Sequence, residues 1–194
     1  MPQVSPEEFK QLPLRVHELL ADVPLHDVWV VELPWTRTGI TLDGFLRGAK
    51  TCPFALRPPA RVLLKFRFFV GRLLRLDQEP KATSTETFAA RLTDADRSKS
   101  LVPAGTRDGL FRVVYRFENE QLMEIMNRTA HAAALSALVE MDHCYRFYFA
   151  VYVRRLSMLT PVYMTLIDPF RKLIVYPSML RSVRAAWDTT FAAG

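Results

Sequence analysis

The stretch TAHAAALSALVEMDHCYRFYFAVYVRR, residues 129–155, decides the fold of this chain. Its second half, CYRFYFAVYVRR (144–155), alternates with the two-residue period of a β-strand. One side carries Tyr145, Phe147, Phe149, Val151 and Val153, and the other carries Arg146, Tyr148, Ala150, Tyr152 and Arg154. Because both sides are rich in aromatic residues, we predict a strand with a hydrophobic core on one side and a second sizeable layer on the other.

The first half of the stretch, TAHAAALSALVE (129–140), is ambiguous by local sequence alone. Its alanines and leucines favour a helix by intrinsic propensity. Its position between a preceding strand and CYRFYF instead suits a long hairpin, with MDH (141–143) as the turn. We therefore predict a strand, whose small side chains leave space above the sheet.

Further predicted elements lie outside this hairpin. In chain order they are a strand at DVWVVELP (27–34), a short helix capped by Thr41 at TLDGFLRGAK (41–50), an amphipathic helix at 60–76, a polar loop-rich segment at about 77–108 with a helical turn at 87–92, and strands at GLFRVVYRF (109–117) and LMEIMN (122–127). At 194 residues and 49% hydrophobic positions, the chain is long enough for one good core and short for two. We predict a single domain spanning residues 1–194.

The C-terminal part of the chain has the clearest helical pattern. Thr160 fits an N-cap, and Pro161 fits the first helical position. The apolar residues with helical spacing are Val162, Tyr163, Leu166, Ile167, Phe170, Leu173, Ile174, Leu180, Val183 and Trp187. Pro169 and Pro177 must bend or restart this helix, because proline lacks the N–H that a helix interior needs. We predict a long kinked helix packed on a curved sheet.

The excess positive charge lies in one segment. The net charge is +6, and six basic residues with no acidic residue among them fall between positions 57 and 75, which leaves 20 basic and 20 acidic residues elsewhere. A groove that follows nucleic-acid phosphates more often spreads its charge over several elements, and the chain has no zinc-finger spacing or RNA-recognition signature, so we disfavour nucleic acid as a partner. One alternative function is weak contact with an anionic membrane through Arg57, Arg61, Lys65, Arg72 and Arg75.

The sequence shows no leader peptide, no membrane-spanning stretch and only two cysteines, Cys52 and Cys144. We therefore expect a cytoplasmic protein with reduced thiols. The four histidines show no metal-ligand pairing such as H-E-x-x-H, and there is no G-x-G-x-x-G run. We expect neither a bound metal nor a cofactor.

Several stretches resemble a known family. They are RVHELLADVPLHDVWVVELP (15–34), FENEQLMEIMNRTAH (117–131), YVRR (152–155) and YMTLIDPFRKLIVYPSML (163–180). Together they resemble a bacterial START-like (SRPBCC superfamily, helix-grip) family of unknown function, domain of unknown function 2867. The resemblance implies an α+β helix-grip fold, in which a curved antiparallel sheet wraps around a long kinked C-terminal helix with a hydrophobic cavity between them. It implies no reaction, because this fold serves binding, transport and catalysis alike.

The stretch NRTAH (127–131) holds the strongest candidate for chemistry. Alternation places Asn127, Thr129 and His131 on one face of a regular strand. His131 is a weak catalytic candidate as a general base, because imidazole titrates near neutrality. A hydrogen-bonded structural histidine is the commoner role for such a residue.

Three polar residues near the predicted helix restart have structural interpretations. Asp168 fits the cap of the helix that restarts at Pro169, with a catalytic carboxylate as the less favoured alternative. Arg171 and Tyr176 would tie that helix to the sheet, with a ligand role as the less favoured alternative.

The predicted function is binding of a hydrophobic or amphipathic small molecule, with lipids as one class, in the cavity between the sheet and the C-terminal helix. The predicted ligand-binding residues are Asn127, Thr129 and His131 of the sheet and Tyr163, Ile167 and Phe170 of the helix. A cyclase- or hydrolase-like enzyme using His131 in the same cavity is the first alternative. A peripheral membrane protein or acidic-partner binder using the basic helix at 60–76 is the second.

Overall fold

A computed structural model of the chain describes residues 4–49, 87–126, 130–156, 168–169 and 171–191. The helices are α1 (Pro6–Lys10), α2 (Val16–Leu19), α3 (Leu42–Gly48), a 3-10 helix (Phe88–Arg91), α4 (Asp94–Lys99), a π-helical turn (Arg171–Val175) and α5 (Tyr176–Phe191). The strands are β1 (Leu25–Pro34), β2 (Arg107–Asp108), β3 (Phe111–Arg116), β4 (Glu120–Met126), β5 (Ala130–Glu140) and β6 (Cys144–Arg155). The six strands form one antiparallel sheet in the order β1-β6-β5-β4-β3-β2. The fold is therefore α+β, with a curved open sheet and a C-terminal helix.

The hairpin β5–β6 is the centre of the sheet and confirms the strand prediction for the alanine-rich segment. Ala133 of β5 pairs with Tyr152 of β6, and Ala137 pairs with Tyr148. Each small residue thus lies beside a large aromatic ring that fills the volume the alanine leaves. Cross-strand packing of this kind outweighs the helical propensity of alanine, which amounts to only about 0.5 kcal/mol or less per residue.

The sheet is covered on both faces, as the aromatic residues on both sides of β6 indicate. The helix-facing surface packs against α5 and consists of Asp27, Trp29, Val31 and Leu33 of β1, Tyr145, Phe147, Phe149, Val151 and Val153 of β6, and Ala132, Ala134, Ser136 and Leu138 of β5. The second surface packs against α1, α2 and the 3-10 helix, and it includes Val28, Val30, Tyr148, Ala150, Tyr152, Ala133, Leu135, Ala137, Leu122 and Val114. The chain therefore has two hydrophobic layers separated by one sheet.

The segment predicted to be largely loop contains a regular helix. Helix α4 begins after Thr93, whose side chain accepts a hydrogen bond from the backbone N–H of Asp96, while the Asp96 carboxylate accepts one from the backbone N–H of Thr93. This reciprocal pair is a capping box with aspartate at the third helical position. It starts a helix whose sequence has no apolar residues at helical spacing. The 3-10 helix lies within the predicted helical turn, and Phe88 and Leu92 anchor it on the second surface.

The C-terminal helix changes its hydrogen-bonding pattern where the prolines predict a bend. Pro177 has no N–H to donate to the carbonyl of Leu173, and the residues just before it form the π-helical turn. Helix α5 then runs regularly to Phe191. Its buried Trp187 donates a hydrogen bond to the backbone oxygen of Pro34 at 3.1 Å, which attaches the helix to the end of β1. The predicted cap at Thr160 and Pro161 lies outside the described residues.

Candidate functional site

His131 lies on the second surface and is held by a carboxylate. Its Nε2 lies 2.7 Å from Oε2 of Glu124, which also accepts a hydrogen bond from the backbone N–H of Phe88 at 2.8 Å. The Phe88 ring stacks on the imidazole with 3.7 Å between ring centroids. His131 is 1% exposed and Glu124 is 3% exposed. The imidazole is thus closed in by its partners.

A layer of charged side chains covers this histidine. Arg91 and Arg154 both lie over the Phe88 ring, at 5.4 and 5.8 Å from its centroid, and both donate hydrogen bonds to Asp22. The Arg91 guanidinium, with a smaller contribution from Arg154, lowers the pKa of Asp22 to about 2. The Asp22 carboxylate therefore stays ionised at neutral pH and holds the two arginines over the ring, which favours a structural role for His131.

The prediction that His131 lines the space beneath the terminal helix is corrected by the sheet register. Ala132 and Ala134 face α5, and because side chains alternate along a strand, His131 and Ala133 face the other way. The other predicted ligand-binding residues, Asn127, Thr129, Tyr163, Ile167 and Phe170, lie outside the described residues, as does the basic segment at 57–75. Glu124, the partner of His131, is diagonal to it across β4 and β5, so only the register reveals the pair.

The helix-facing surface is less tightly closed than the second surface. On the helix-facing side Trp29 retains 9% exposure, Phe149, Val151 and Val153 retain 7% each, and Ala134 retains 6%. On the second side, Leu135, Ala137 and Ala150 are at 0% and Tyr148 is at 1%. Elsewhere on the helix-facing side, Tyr145 and Phe147 are at 0%. The Tyr176 ring of α5 packs against Trp29 and Phe149, at 5.6 and 5.5 Å between ring centroids. The remaining exposure is therefore small, and it includes Ala134 of β5 and Val151 and Val153 of β6.

Three buried polar side chains interrupt this apolar surface without hydrogen-bond partners among the described residues. They are Asp27, through both carboxylate oxygens, Trp29, through Nε1, and Ser136, through Oγ. We call them the polar row. Trp29 and Ser136 both pair with Phe149, from opposite sides, and Asp27 pairs with the adjacent Val151. The three groups thus lie close together on one patch of the sheet.

Unpartnered groups of this kind are costly. A buried donor or acceptor with no hydrogen bond destabilises a protein by about 1–3 kcal/mol, and more when it is charged. Most buried polar groups in proteins are therefore hydrogen-bonded, and an exception calls for a physical explanation such as local strain, a catalytic role or a bound water or ion. Asp27 is only 3% exposed, so bulk water does not solvate it fully. The polar row is consequently the strongest candidate for a ligand contact on the described part of the chain.

Asp27 belongs to a larger polar cluster that connects β1 to the π-helical turn. The His26 Nε2 lies 2.8 Å from Oδ2 of Asp168, and Arg171 donates to Oδ1 of Asp168 at 3.0 Å and to the hydroxyl of Tyr176. Nη2 of Arg171, the nitrogen that donates to Tyr176, lies 3.7 Å from Oδ2 of Asp27, and the His26 Nε2 lies at the same distance from that oxygen; both are beyond hydrogen-bonding distance. Arg171 therefore ties the turn to the sheet, and the Asp168 side chain pairs with both His26 and Arg171.

The electrostatics of this cluster set Asp27 apart from Asp168. Burial of the Asp27 carboxylate raises its pKa, and the positive charge of Arg171 opposes the shift only in part. Burial likewise raises the pKa of Tyr176, so its hydroxyl stays protonated. The described neighbours of Asp27 therefore do not supply the hydrogen bonds that water gives this carboxylate in the unfolded chain.

A second concave region lies on the opposite side of the sheet, beside α2. This open groove has a volume of about 580 Å³ and is lined by Lys10, His17, Leu20, Ala21, Asp22, Val23, Pro24, Leu25 and Tyr152. Its carboxylate, Asp22, is already held by two arginines. Burial lowers the pKa of His17, whose ring packs edge-on against Phe9. The groove therefore offers a ligand fewer unpaired groups than the polar row does.

The described residues contain no candidate metal site and no candidate membrane-spanning helix. Within these ranges, no group of three or more histidine, cysteine, aspartate or glutamate side chains is placed to hold a metal ion. No helix in the same ranges is long and apolar enough to cross a membrane.

Comparison with known proteins places the chain in a family. The family model described as "Protein of unknown function (DUF2867)" matches residues 19–178. The chain belongs to DUF2867. The DUF2867 match runs from α2 into the start of α5 and includes every member of the polar row and its cluster. Searches of the curated proteins and of the solved structures found no match.

Proposed function

We propose that this DUF2867 chain binds a hydrophobic or amphipathic small molecule between the helix-facing surface and the C-terminal helix, in a START-like, helix-grip arrangement. The observation that carries the proposal is the polar row. Small-molecule sites are mostly apolar surfaces with a few converging polar groups that orient the ligand. Asp27, Trp29 and Ser136 form such a set among aromatic and aliphatic side chains.

The second surface supports the proposal by contrast. Its central residues have almost no exposure, and Glu124 and His131 satisfy each other there. The buried Glu124–His131 pair shows that this side of the sheet pairs charged groups, although His17 Nε2 and Arg146 Nε have no hydrogen-bond partner there among the described residues. The remaining exposure and unpaired groups on the side of α5 fit a surface that receives another molecule.

The two alternative functions have less support. An enzyme that uses His131 in the helix-side cavity is disfavoured, because His131 is buried on the opposite side of the sheet. Contact with an anionic membrane through the basic helix at 60–76 stays a prediction, since that segment lies outside the described residues. It predicts salt-sensitive co-sedimentation with anionic vesicles and none with neutral ones.

Native mass spectrometry of gently purified protein tests the proposed function. We expect a co-purifying small molecule in the native protein and a marked loss of it in Ala134→Leu, which fills the space above β5. Ala185→Leu is the matched control, because it makes the same substitution at an exposed position of α5. A ligand-free mass for the native protein, together with no binding of apolar probes, would refute the proposal.

A further inference from the structure

We infer that the ligand of this site is an uncharged molecule with a hydrogen-bond donor for Asp27 and a separate hydrogen-bond acceptor for Trp29, rather than a fatty-acid-like anion or an amine. This inference rests on the proposed function and specifies its ligand. It follows from the unfilled hydrogen-bonding roles, from the apolar residues between them and from the partners that the nearby charged groups already have.

The unfilled roles are chemically distinct. An ionised aspartate only accepts hydrogen bonds, the tryptophan indole only donates, and the serine hydroxyl does both. Asp27 therefore needs a donor such as a hydroxyl or an amide N–H, and Trp29 needs an acceptor such as a carbonyl oxygen. Ser136 can serve either kind of group.

The spacing favours two groups on the ligand over one. Asp27 and Trp29 are alternate residues of β1, so their Cα atoms are about 7 Å apart along the strand. Ser136 lies two strands away from Trp29, about 10 Å across the sheet. The side chains between these groups, Phe149 and Val151, are apolar, so a ligand that spans the row has an apolar body between its polar groups.

The nearest positive groups around Asp27 already have a carboxylate partner. Arg171, His26 and Lys172 are the groups whose positive charges act on Asp27. Two of them bind Asp168, His26 through Nε2 at 2.8 Å and Arg171 at 3.0 Å. Arg171 is already engaged by Asp168 and by the hydroxyl of Tyr176, so it is not a free counter-ion for an anion.

A charged ligand would meet a penalty at this position. A carboxylate beside Asp27 would add like-charge repulsion in a buried site, and an ammonium would compete with Arg171 for the same oxygen. A neutral hydroxyl supplies the missing hydrogen bond without either cost. The chemistry therefore fits a hydroxylated apolar compound that also carries a carbonyl group.

Calorimetric titration with a matched set of naphthalene probes tests the inference. The probes are an acetylnaphthol with its two groups at opposite ends of the rings, the methyl ether of its hydroxyl, the analogue with a carboxylate in place of the hydroxyl, and the analogue with an aminomethyl group there. We expect the acetylnaphthol to bind at least tenfold more tightly than each of the other three, because only it donates a neutral hydrogen bond to Asp27.

The Asp27→Asn variant localises the effect. It should reduce the preference for the acetylnaphthol over its methyl ether to about twofold, because an amide can accept a hydrogen bond but carries no charge. Asp22→Asn makes the same change on the second surface and should leave the preference intact. Should Asp27→Asn fail to fold, the preference among the four probes in the native protein still decides the matter.

The outcomes separate this inference from the proposed function. Equal or tighter binding of the anionic or cationic probe, abolished by Ala134→Leu, would overturn the inference and leave the proposed function standing. Absence of binding by all four probes would overturn the inference. Native mass spectrometry of the purified protein would then test the proposed function separately.

Discussion

A pair of adjacent alanines offers a direct test of where the chain has space. Ala134 faces α5 and retains 6% exposure, whereas Ala133 faces the second surface at 1%. We therefore compare Ala134→Leu with Ala133→Leu. The two variants make the same chemical change one residue apart on the same strand, so strand propensity and unfolded-state effects are nearly the same in both.

The expected free energies follow from packing. Leucine adds three carbon atoms, and each buried methylene contributes about 0.8 kcal/mol when space exists for it. This gain of about 2 kcal/mol, less about 1 kcal/mol of lost side-chain entropy, leaves Ala134→Leu neutral or slightly stabilising. At Ala133 the Tyr152 ring and the Glu124 side chain occupy the neighbouring positions. Overpacking there should lower the free energy of unfolding by about 1–3 kcal/mol.

Urea denaturation followed by far-ultraviolet circular dichroism measures the difference. With a slope of about 2 kcal/mol per molar urea, a difference of about 2 kcal/mol separates the two midpoints by about 1 M. The native protein, stripped of any co-purified ligand, serves as the reference. Equal destabilisation by both substitutions would show that the helix side is filled by side chains, and the reasoning for a binding space would be refuted.

Further predictions concern buried pairs. Glu124→Ala should lower the free energy of unfolding by about 3 kcal/mol, because it leaves His131 without its buried partner, and Glu124→Gln should cost about half as much; a urea midpoint within error of the native value would contradict this. Arg15, with smaller contributions from the hydrogen bonds of Thr93, lowers the pKa of Asp96 from 3.8 to about 2, so these contacts stabilise the protein above about pH 4 and the stabilisation is lost as the pH falls through about 2. Because Thr93 keeps part of the shift in Arg15→Met, the gap in unfolding free energy between the native protein and this variant should be about 1 kcal/mol at neutral pH and shrink between pH 4 and 2, and a pH-independent gap would speak against the pair.

The strands of the sheet were largely predictable, because alternation is a local property. The period of β6, the end of β1 at Pro34 and the cap of α3 at Thr41 all follow from neighbouring residues. Helix α4 was missed because its signal is a capping box with aspartate, without an apolar stripe. The strand β5 was predicted from its position in a hairpin, since its own residues favour a helix.

The candidate site could not be predicted from local sequence patterns, because its residues are far apart in the sequence. His26 and Asp168 are 142 positions apart, and they meet only because the turn before α5 packs against the start of β1. Asp27 shows no unusual neighbours in the printed sequence, and its role as an unpartnered buried carboxylate depends on the elements that cover it. Single-sequence patterns carry no information about such contacts.

The sequence by itself determined the α+β class, the period of the central strands and the prolines that interrupt the terminal helix. Only the tertiary structure decided which side of the sheet each alternating set faces. It turned His131 away from α5 and toward Glu124, and it left Asp27 and Trp29 facing the helix. The physical reason is that a period of two defines two equivalent faces, and only the packing of covering helices makes them different.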